Sequence, residues 1–315
     1  MPVSSLRPLI AIVGPTASGK THRGVVLARA LDGEIVSADS RQIYRGMDIG
    51  TGKDIAEYGS TPYHLIDIAP AGYRYNLYEY LRDARKAIAD IRSRGRQPIV
   101  VGGTGLYVET LLKGLELPEV PENPELREQL SGKSLDELTA MLAAMKTLHN
   151  TTDVDTPKRA IRAIEIATYY AKNPDKDPNI TPASRPDSII INVDIDRENR
   201  RRRITERLHE RLRQGLVDEV RGLIDSGVSA EDLMYYGLEY RYVTAYVVGL
   251  MPYPDMVSAL ETAIHQFAKR QATWFRGMER RGFTLHNLPY DISDDEFNRA
   301  ALKLLEDTQT ELYNI

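Results

Sequence analysis

Eight residues near the start of the chain, Gly14-Pro15-Thr16-Ala17-Ser18-Gly19-Lys20-Thr21, have the types and spacing to hold a phosphate chain. The glycines let the backbone curl so that successive N–H groups point inward at an anion. Lys20 brings a mobile cation to a terminal phosphate, and Thr21 a hydroxyl to Mg²⁺. The motif has this meaning only between a strand and a helix. The apolar run Leu9-Ile10-Ala11-Ile12-Val13 precedes it, and a helical pattern through Val25, Val26, Leu27, Ala28, Ala30 and Leu31 follows. The stretch therefore binds a di- or triphosphate, whose fate the motif leaves open.

Two further positions could act on a bound phosphate. Asp39 follows the strand-like Gly33-Glu34-Ile35-Val36-Ser37-Ala38, where a carboxylate could hold Mg²⁺ or take a proton as general base. Gly102-Gly103-Thr104 follows the apolar Pro98-Ile99-Val100-Val101. The glycines permit close approach to a ligand. Thr104 could donate to a leaving-group oxygen or simply cap the helix that follows. No aspartate closes that apolar strand, so the metal-holding carboxylate usual in P-loop ATPases is missing there. A metal would be held by Thr21, Asp39 and water.

Cations gather in three places. Arg197, Arg200, Arg201, Arg202, Arg203, Arg207, Arg211 and Arg213 lie on a helical pattern interleaved with Glu198, Glu206 and Glu210. Most read as a solvated face, with those near 200–203 turned to the phosphates. Lys269, Arg270, Gln271, Thr273 and Arg276 surround the single tryptophan, Trp274, and suit contact with phosphate and base. Phe267, Trp274 and Phe275 are expected inward, the cations outward. Lys158, Arg159 and Arg162 form the third cluster. Basic patches flanking a phosphate site suggest a bulky polyanionic substrate. His22, His64, His149, His209, His265 and His286 show no metal-ligand spacing and read as structural.

The elements that must position these groups alternate between apolar strands and amphipathic helices, which predicts an α/β fold with a parallel sheet. Its ligands belong at the carboxyl ends of the strands. Arg41 to Tyr63 is polar and glycine-rich, a long loop expected over the phosphate site. Proline-rich crossings at 117–124 and 173–186 bracket short helical patterns with no strand among them. The reading is a catalytic core of residues 1–117 and 187–315 with a helical insertion at 118–186. Beyond Ser188 to Ile195, the last strand, every element is expected to be helical. Among 315 residues there is no cysteine, which excludes disulfides, thiolate zinc sites and a cysteine nucleophile. No run of eighteen apolar residues suggests a membrane span, and Met1 to Pro8 is too short and polar for a signal peptide. A cytoplasmic monomer is expected. The net charge of −4 disfavours nucleic acid, but residues 291–315 alone carry −5, leaving the rest at +1.

Taken together these motifs resemble the tRNA dimethylallyltransferases. The matching blocks are 14–21, Ser37 to Tyr44, Met47 to Lys53, His64 to Asp67, Val101 to Tyr107, Pro157 to Glu165 and Ala268 to Arg276. The resemblance implies a P-loop NTPase-like core. It also implies transfer of a dimethylallyl group from dimethylallyl diphosphate to the exocyclic amine of the adenine just 3′ of the anticodon, in tRNAs reading codons that begin with U. The loop Gly14–Thr21 then holds a diphosphate leaving group, so the missing ATPase carboxylate is no loss. By the same resemblance, Asp39 accepts the amine proton and Thr104 bonds the bridging oxygen. Lys20, Thr21, Mg²⁺ and Arg241 stabilise the pyrophosphate. Ser40, Arg41 and Gln42 touch the flipped adenine or its neighbours. Residues 118–186 clamp the anticodon stem-loop through Lys158, Arg159 and Arg162, while Lys269, Arg270, Gln271 and Arg276 add core contacts. The family commonly has Gly-Tyr-Arg/Lys-Gln/Glu where this chain has Leu238-Glu239-Tyr240-Arg241-Tyr242.

Three other readings share parts of this pattern. They are an adenylate isopentenyltransferase acting on free nucleotide, a P-loop small-molecule kinase, and a tRNA-binding module with a regulatory nucleotide site. A small acceptor needs neither the helical insertion nor the basic helix at 269–276.

Overall fold

The computed structural model describes residues 8–115, 120–148, 152–176 and 185–313. His149 and the segments 116–119 and 177–184 of the two proline-rich crossings lie outside them. The chain divides into two compact units, Met1–Lys113 with Arg185–Ile315, and Gly114–Ser184.

The first unit is built on a six-stranded sheet in the order β3-β2-β4-β1-β5-β6, with every pairing parallel. Its strands are β1 (Leu9–Val13), β2 (Gly33–Ser37), β3 (Tyr63–His64), β4 (Gln97–Gly102), β5 (Ser188–Asp194) and β6 (Leu285–Pro289). Residues of β1, β2 and β4 are buried throughout, because helices cover both faces of a parallel sheet. Val25, Leu27, Ile35, Ile99, Val101 and Ile191 pack across that interior.

The helices of this unit are α1 (Lys20–Ala30), α2 (Leu77–Ser93) and α3 (Gly105–Leu112), then, beyond the inserted unit, α7 (Arg197–Arg213), α8 (Leu216–Asp225), α9 (Ala230–Tyr235), α10 (Leu238–Val247), α11 (Tyr253–Arg280) and α12 (Asp294–Tyr313). The inserted unit holds α4 (Pro124–Leu130), α5 (Leu135–Met145) and α6 (Pro157–Lys172) around their own small core of Leu130, Leu138, Leu142, Ala160 and Ile164.

The expectation of helices alone after Ile195 is corrected by β6. Leu285-His286-Asn287-Leu288-Pro289 pairs with β5 from Ile190 to Asp194, although its residues are at most half-buried. A short run with two polar residues and a proline carries no strand signal of its own. The segment is fixed by tertiary pairing and by α12, whose Asp294 takes Arg23 Nη1 of α1 at 2.6 Å. His22 Nε2 lies 2.9 Å from the same carboxylate.

Candidate active site

Register puts the carboxyl ends of three strands side by side. Val13 of β1 pairs with Gly102 of β4, and Ser37 of β2 pairs with Val101. The chain after β1 forms the phosphate loop. Gly19, at φ 86°, adopts the left-handed conformation that starts α1 at Lys20. At Gly14 a side chain would meet Ser18 Oγ at 2.7 Å. Ser18 Oγ is buried without a hydrogen-bond partner among the described residues, as expected of a group that awaits an anion.

The ends of β2 and β4 are stitched together. Ala38 N–H donates to Val101 O at 2.8 Å, and Thr104 N–H donates to Ala38 O at 3.2 Å. A Cβ on Gly102 would overlap Ala38, so glycine permits this approach. Thr104 Oγ1 then accepts Ser40 N–H at 3.0 Å and lies 3.3 Å from Ser40 Oγ. Thr104 precedes α3 but makes no side-chain cap. Asp39 Oδ1 accepts Arg41 N–H at 3.0 Å, which aims the carboxylate. Its other oxygen has no protein hydrogen-bond partner among the described residues.

These groups open on a cavity of about 480 Å³. Thr16, Lys20, Asp39, Ser40, Arg41 and Thr104 of the expected site line it, together with Arg270 and Gln271 of α11. Gln271 braces the phosphate loop: its Oε1 accepts Thr16 N–H at 2.8 Å and its Nε2 donates to Gly103 O at 2.9 Å. Burial pushes Lys20 down to about 8; Arg207 and Arg211 add to the fall and Asp39 opposes it. The lysine is thus buried beside two arginines, with Asp39 and, more weakly, Glu57 as opposing carboxylates.

Sequence reasoning missed two of those cations. Arg207 and Arg211 project from α7 against Thr16 and Ala17 of the loop, in a small extension of the cavity shared with Glu239. Arg203 Nη2 lies 3.8 Å from where a Gly19 Cβ would stand. The signal was the four-residue step 203–207–211, beside the buried Ile204 and Leu208. The interleaved glutamates disguised it as a solvated face.

The expected loop does cover the site, through Gly50 and Thr51. Two devices hold it. Glu219 of α8 accepts the N–H groups of Asp48, Ile49 and Gly50 at 2.8, 2.6 and 3.0 Å, and Tyr240 hydroxyl donates to the same carboxylate at 2.6 Å. The Lys53 ammonium is buried, donates to Tyr44 O and Asp48 Oδ1 at 2.6 Å each, and also bonds Asp67. Neither Glu219 nor Lys53 was legible as a positioning group.

Other expectations shift. Gln42 is buried and faces the loop, not the cavity, donating to Gly52 O at 3.1 Å and accepting from Ser37 Oγ at 3.3 Å. Arg241 is exposed on α10, while Glu239 and Tyr240 line the cavity. Successive helical residues turn by about 100°, so all three cannot face one way. Only Phe275 of the aromatic trio is core. Phe267 and Trp274 are each 40% exposed and line the cavity mouth with Leu106. Trp274 lies so close to Gly105 that a Cβ there would overlap its ring.

Lys269, Arg270 and Arg276 are exposed and make no ion pair with an acid among the described residues. Arg270 lies over the Phe267 ring at 5.7 Å. In the inserted unit, Lys158 is exposed, Arg159 pairs with Asp155, and Arg162 pairs with Glu165 while donating to Val120 O at 2.9 Å.

No group of three or more His, Cys, Asp or Glu side chains suited to a metal occurs among the described residues. The candidate donors are the Thr21 hydroxyl, in the first turn of α1 beside Lys20, and the Asp39 carboxylate, which lines the cavity. That set fits Mg²⁺, which keeps waters and binds through one or two carboxylates plus substrate phosphates. No helix of the described residues is long and apolar enough to cross a membrane.

A parallel sheet with a phosphate-type loop after β1 and an acid after β2 defines a P-loop-like α/β fold. The sequence matches the IPP transferase family over residues 42–278 and the isopentenyl transferase family over residues 8–61. A tRNA dimethylallyltransferase 2 of Bacteroides fragilis is 60% identical over 303 residues, covering 95% of this chain and 98% of the relative. One from Porphyromonas gingivalis is 58% identical over 300 residues, covering 94% and 98%. The tRNA isopentenylpyrophosphate transferase structure of Bacillus halodurans superposes with a TM-score of 0.71 at 29% identity, covering 98% of this chain and 99% of that one. A eukaryotic dimethylallyltransferase acting on tRNA shares the fold at a TM-score of 0.76 and 22% identity. The chain belongs to the IPP transferase family of tRNA dimethylallyltransferases.

Proposed function

We propose that this enzyme moves a dimethylallyl group from dimethylallyl diphosphate to N6 of the adenosine 3′-adjacent to the anticodon, in tRNAs reading codons that begin with U, and releases diphosphate. The observation that carries the reading is the convergence of Asp39, Thr104 and the phosphate loop on one cavity, with the exposed Phe267, Trp274 and Arg270 also lining it.

The donor diphosphate lies in the loop Gly14–Thr21, against Lys20, Arg207 and Arg211. The allylic carbon points toward Asp39 and Thr104. The adenine leaves the anticodon-loop stack at a cost of a few kcal/mol, offset by contacts with the pocket and the RNA backbone. Ser40 and Arg41 line its entry, with Phe267 and Trp274 available for stacking. The N6 lone pair forms a bond to the allylic carbon as the carbon–oxygen bond to the diphosphate breaks. The bonding pair leaves on the bridging oxygen, which Thr104 hydroxyl stabilises. The free Asp39 oxygen takes the amine proton. Thr21 and Asp39 would hold Mg²⁺, which would supply charge neutralisation to the departing diphosphate.

Lys269, Arg270 and Arg276 on α11 offer one set of tRNA contacts, and Lys158 and Arg159 of the inserted unit offer another, with Arg162 engaged by Glu165. Soluble tRNA and a soluble diphosphate make membrane association unnecessary, and one chain carries every group named, so a cytoplasmic monomer suffices. Nucleoside mass spectrometry of tRNA incubated with the protein and dimethylallyl diphosphate tests the reading. Isopentenyladenosine at the position after the anticodon is expected. Modification of free AMP, with tRNA untouched, would overturn it.

A further inference from the structure

One cavity residue, the partly buried Glu239, plays no part in the reaction as derived, and its surroundings are unlike those of the other buried or partly buried acids among the described residues. Glu34 bonds Arg94, Arg96 and His64. Glu109 receives two bonds of 2.7 Å from Arg281. Glu165 receives two from Arg127, at 3.1 and 3.0 Å. Glu219 caps three backbone N–H groups. Glu239 has one partner outside itself, Arg211 Nη1 at 3.6 Å, which is an ion pair beyond hydrogen-bond distance. Burial pushes the Glu239 carboxyl above its usual range, and Arg211 and Arg41 offset only part of that.

Its location is equally particular. Glu239 lines both the main cavity and the small extension where Arg207 and Arg211 meet Thr16 and Ala17 of the phosphate loop. Three neighbouring cations that repel one another, Lys20, Arg207 and Arg211, need anions nearby when no phosphate is bound. Asp39 is the principal counter-charge to Lys20, and Asp54 takes Arg207 Nη2 at 3.0 Å, which leaves Arg211 to Glu239. Arg211 has a second anchor, since its Nη1 donates to Gly50 O at 3.4 Å. It packs so tightly on Gly52 that a Cβ there would overlap the guanidinium. Releasing the glutamate would therefore leave the arginine in place.

We infer that Glu239 is a placeholder anion for the donor site: it neutralises Arg211 in the free enzyme and surrenders that guanidinium to the diphosphate. The exchange swaps a loose, single-contact ion pair for charge-assisted bonds to phosphate oxygens, to which a planar guanidinium is well matched. Its cost is the broken pair and the repulsion between carboxylate and diphosphate. Donor affinity is therefore held below what the cations alone would give, and product diphosphate, which meets the same opposition, leaves more readily.

This inference rests on the cavity being the donor diphosphate site, and its test does not use the transfer reaction. Inorganic pyrophosphate binding is measured by calorimetry with Mg²⁺ present, for the wild-type protein, Glu239→Gln and Glu239→Asp, each checked for an unchanged melting temperature. Glu239→Gln is expected to tighten pyrophosphate about tenfold, chiefly through slower release. Glu239→Asp draws the carboxylate back by one methylene and is expected to tighten it severalfold, so either variant alone suffices if the other fails to fold. Equal or weaker binding in the folded variants would overturn the placeholder role and make Glu239 a support for Arg211. Wild-type protein that binds pyrophosphate yet transfers nothing to tRNA would instead refute the reaction and leave this inference standing.

Discussion

The two ends of β2 each carry a carboxylate, and they differ in everything but charge. Glu34, near the start of the strand, is 1% exposed and bonded by Arg94, by Arg96 at 3.0 Å and by His64 at 2.7 Å. The Arg94 bonds, with help from His64 and Arg96, hold it down at about 2, although burial pulls the other way. Asp39, just past the end of the strand, takes one backbone N–H and turns its other oxygen to the cavity. An acid whose lone pairs are all used holds the sheet together. An acid with capacity left over can accept a proton. The cations divide the same way. Arg162 is spent on Glu165 and a backbone carbonyl, whereas Lys269 and Arg270 have no acid beside them among the described residues.

The largest effect that could break this contrast is on turnover. Asp39→Ala should slow transfer by about 10²–10⁴-fold, the range for a lost general base, with tRNA affinity little changed in a filter-binding assay. Glu34→Gln should do the opposite. Removing one partner of a buried ionic cluster costs about 3 kcal/mol, readable as a fall in denaturant midpoint, while activity per folded molecule persists. The pH dependence of stability follows from the same depression. Glu34 binds its proton less readily when folded, so its contribution is full above about 4.5 and is lost as pH falls toward about 2. Acid titration of wild type against Glu34→Gln should show that slope in the wild type alone.

Lys20 sharpens the contrast from the cationic side. Burial leaves it at about 8, so the free site loses a positive charge as pH rises past that value. The KM for dimethylallyl diphosphate should rise by up to about tenfold per pH unit above about 8, and Lys20→Met should flatten that limb. The smallest effect belongs to the exposed patch. Lys269→Ala should weaken tRNA binding severalfold and reduce the slope of log affinity against log salt by about 1. An unaltered slope would remove Lys269 from the RNA surface.

What could be read in the sequence was what local chemistry enforces. The phosphate loop, Asp39 and Thr104 were legible because each follows a strong apolar strand, and parallel strands deliver their carboxyl ends to one edge. Helix α1 was legible from the apolar pattern through Val25, Val26, Leu27 and Ala28. Groups whose meaning depends on distant partners were not. Arg207 and Arg211 look like any arginine on a charged helix until α7 meets the loop. Glu219 needs three backbone amides 169 to 171 positions away. Strand β6 exists only because β5 offers it an edge. Phe267 and Trp274 were misplaced into the core, since an aromatic at a cavity mouth has the same spacing as one inside.

The central claim is that partner saturation separates the acid that folds this enzyme from the acid that runs it. The most direct test is a crossed measurement on Asp39→Asn and Glu34→Gln, each assayed for single-turnover transfer to tRNA and for unfolding midpoint under one set of conditions. Asp39→Asn should lose at least about 10²-fold in rate with its midpoint unmoved, and Glu34→Gln should lose midpoint with its rate retained. An Asp39→Asn enzyme that turns over at the wild-type rate would contradict that claim.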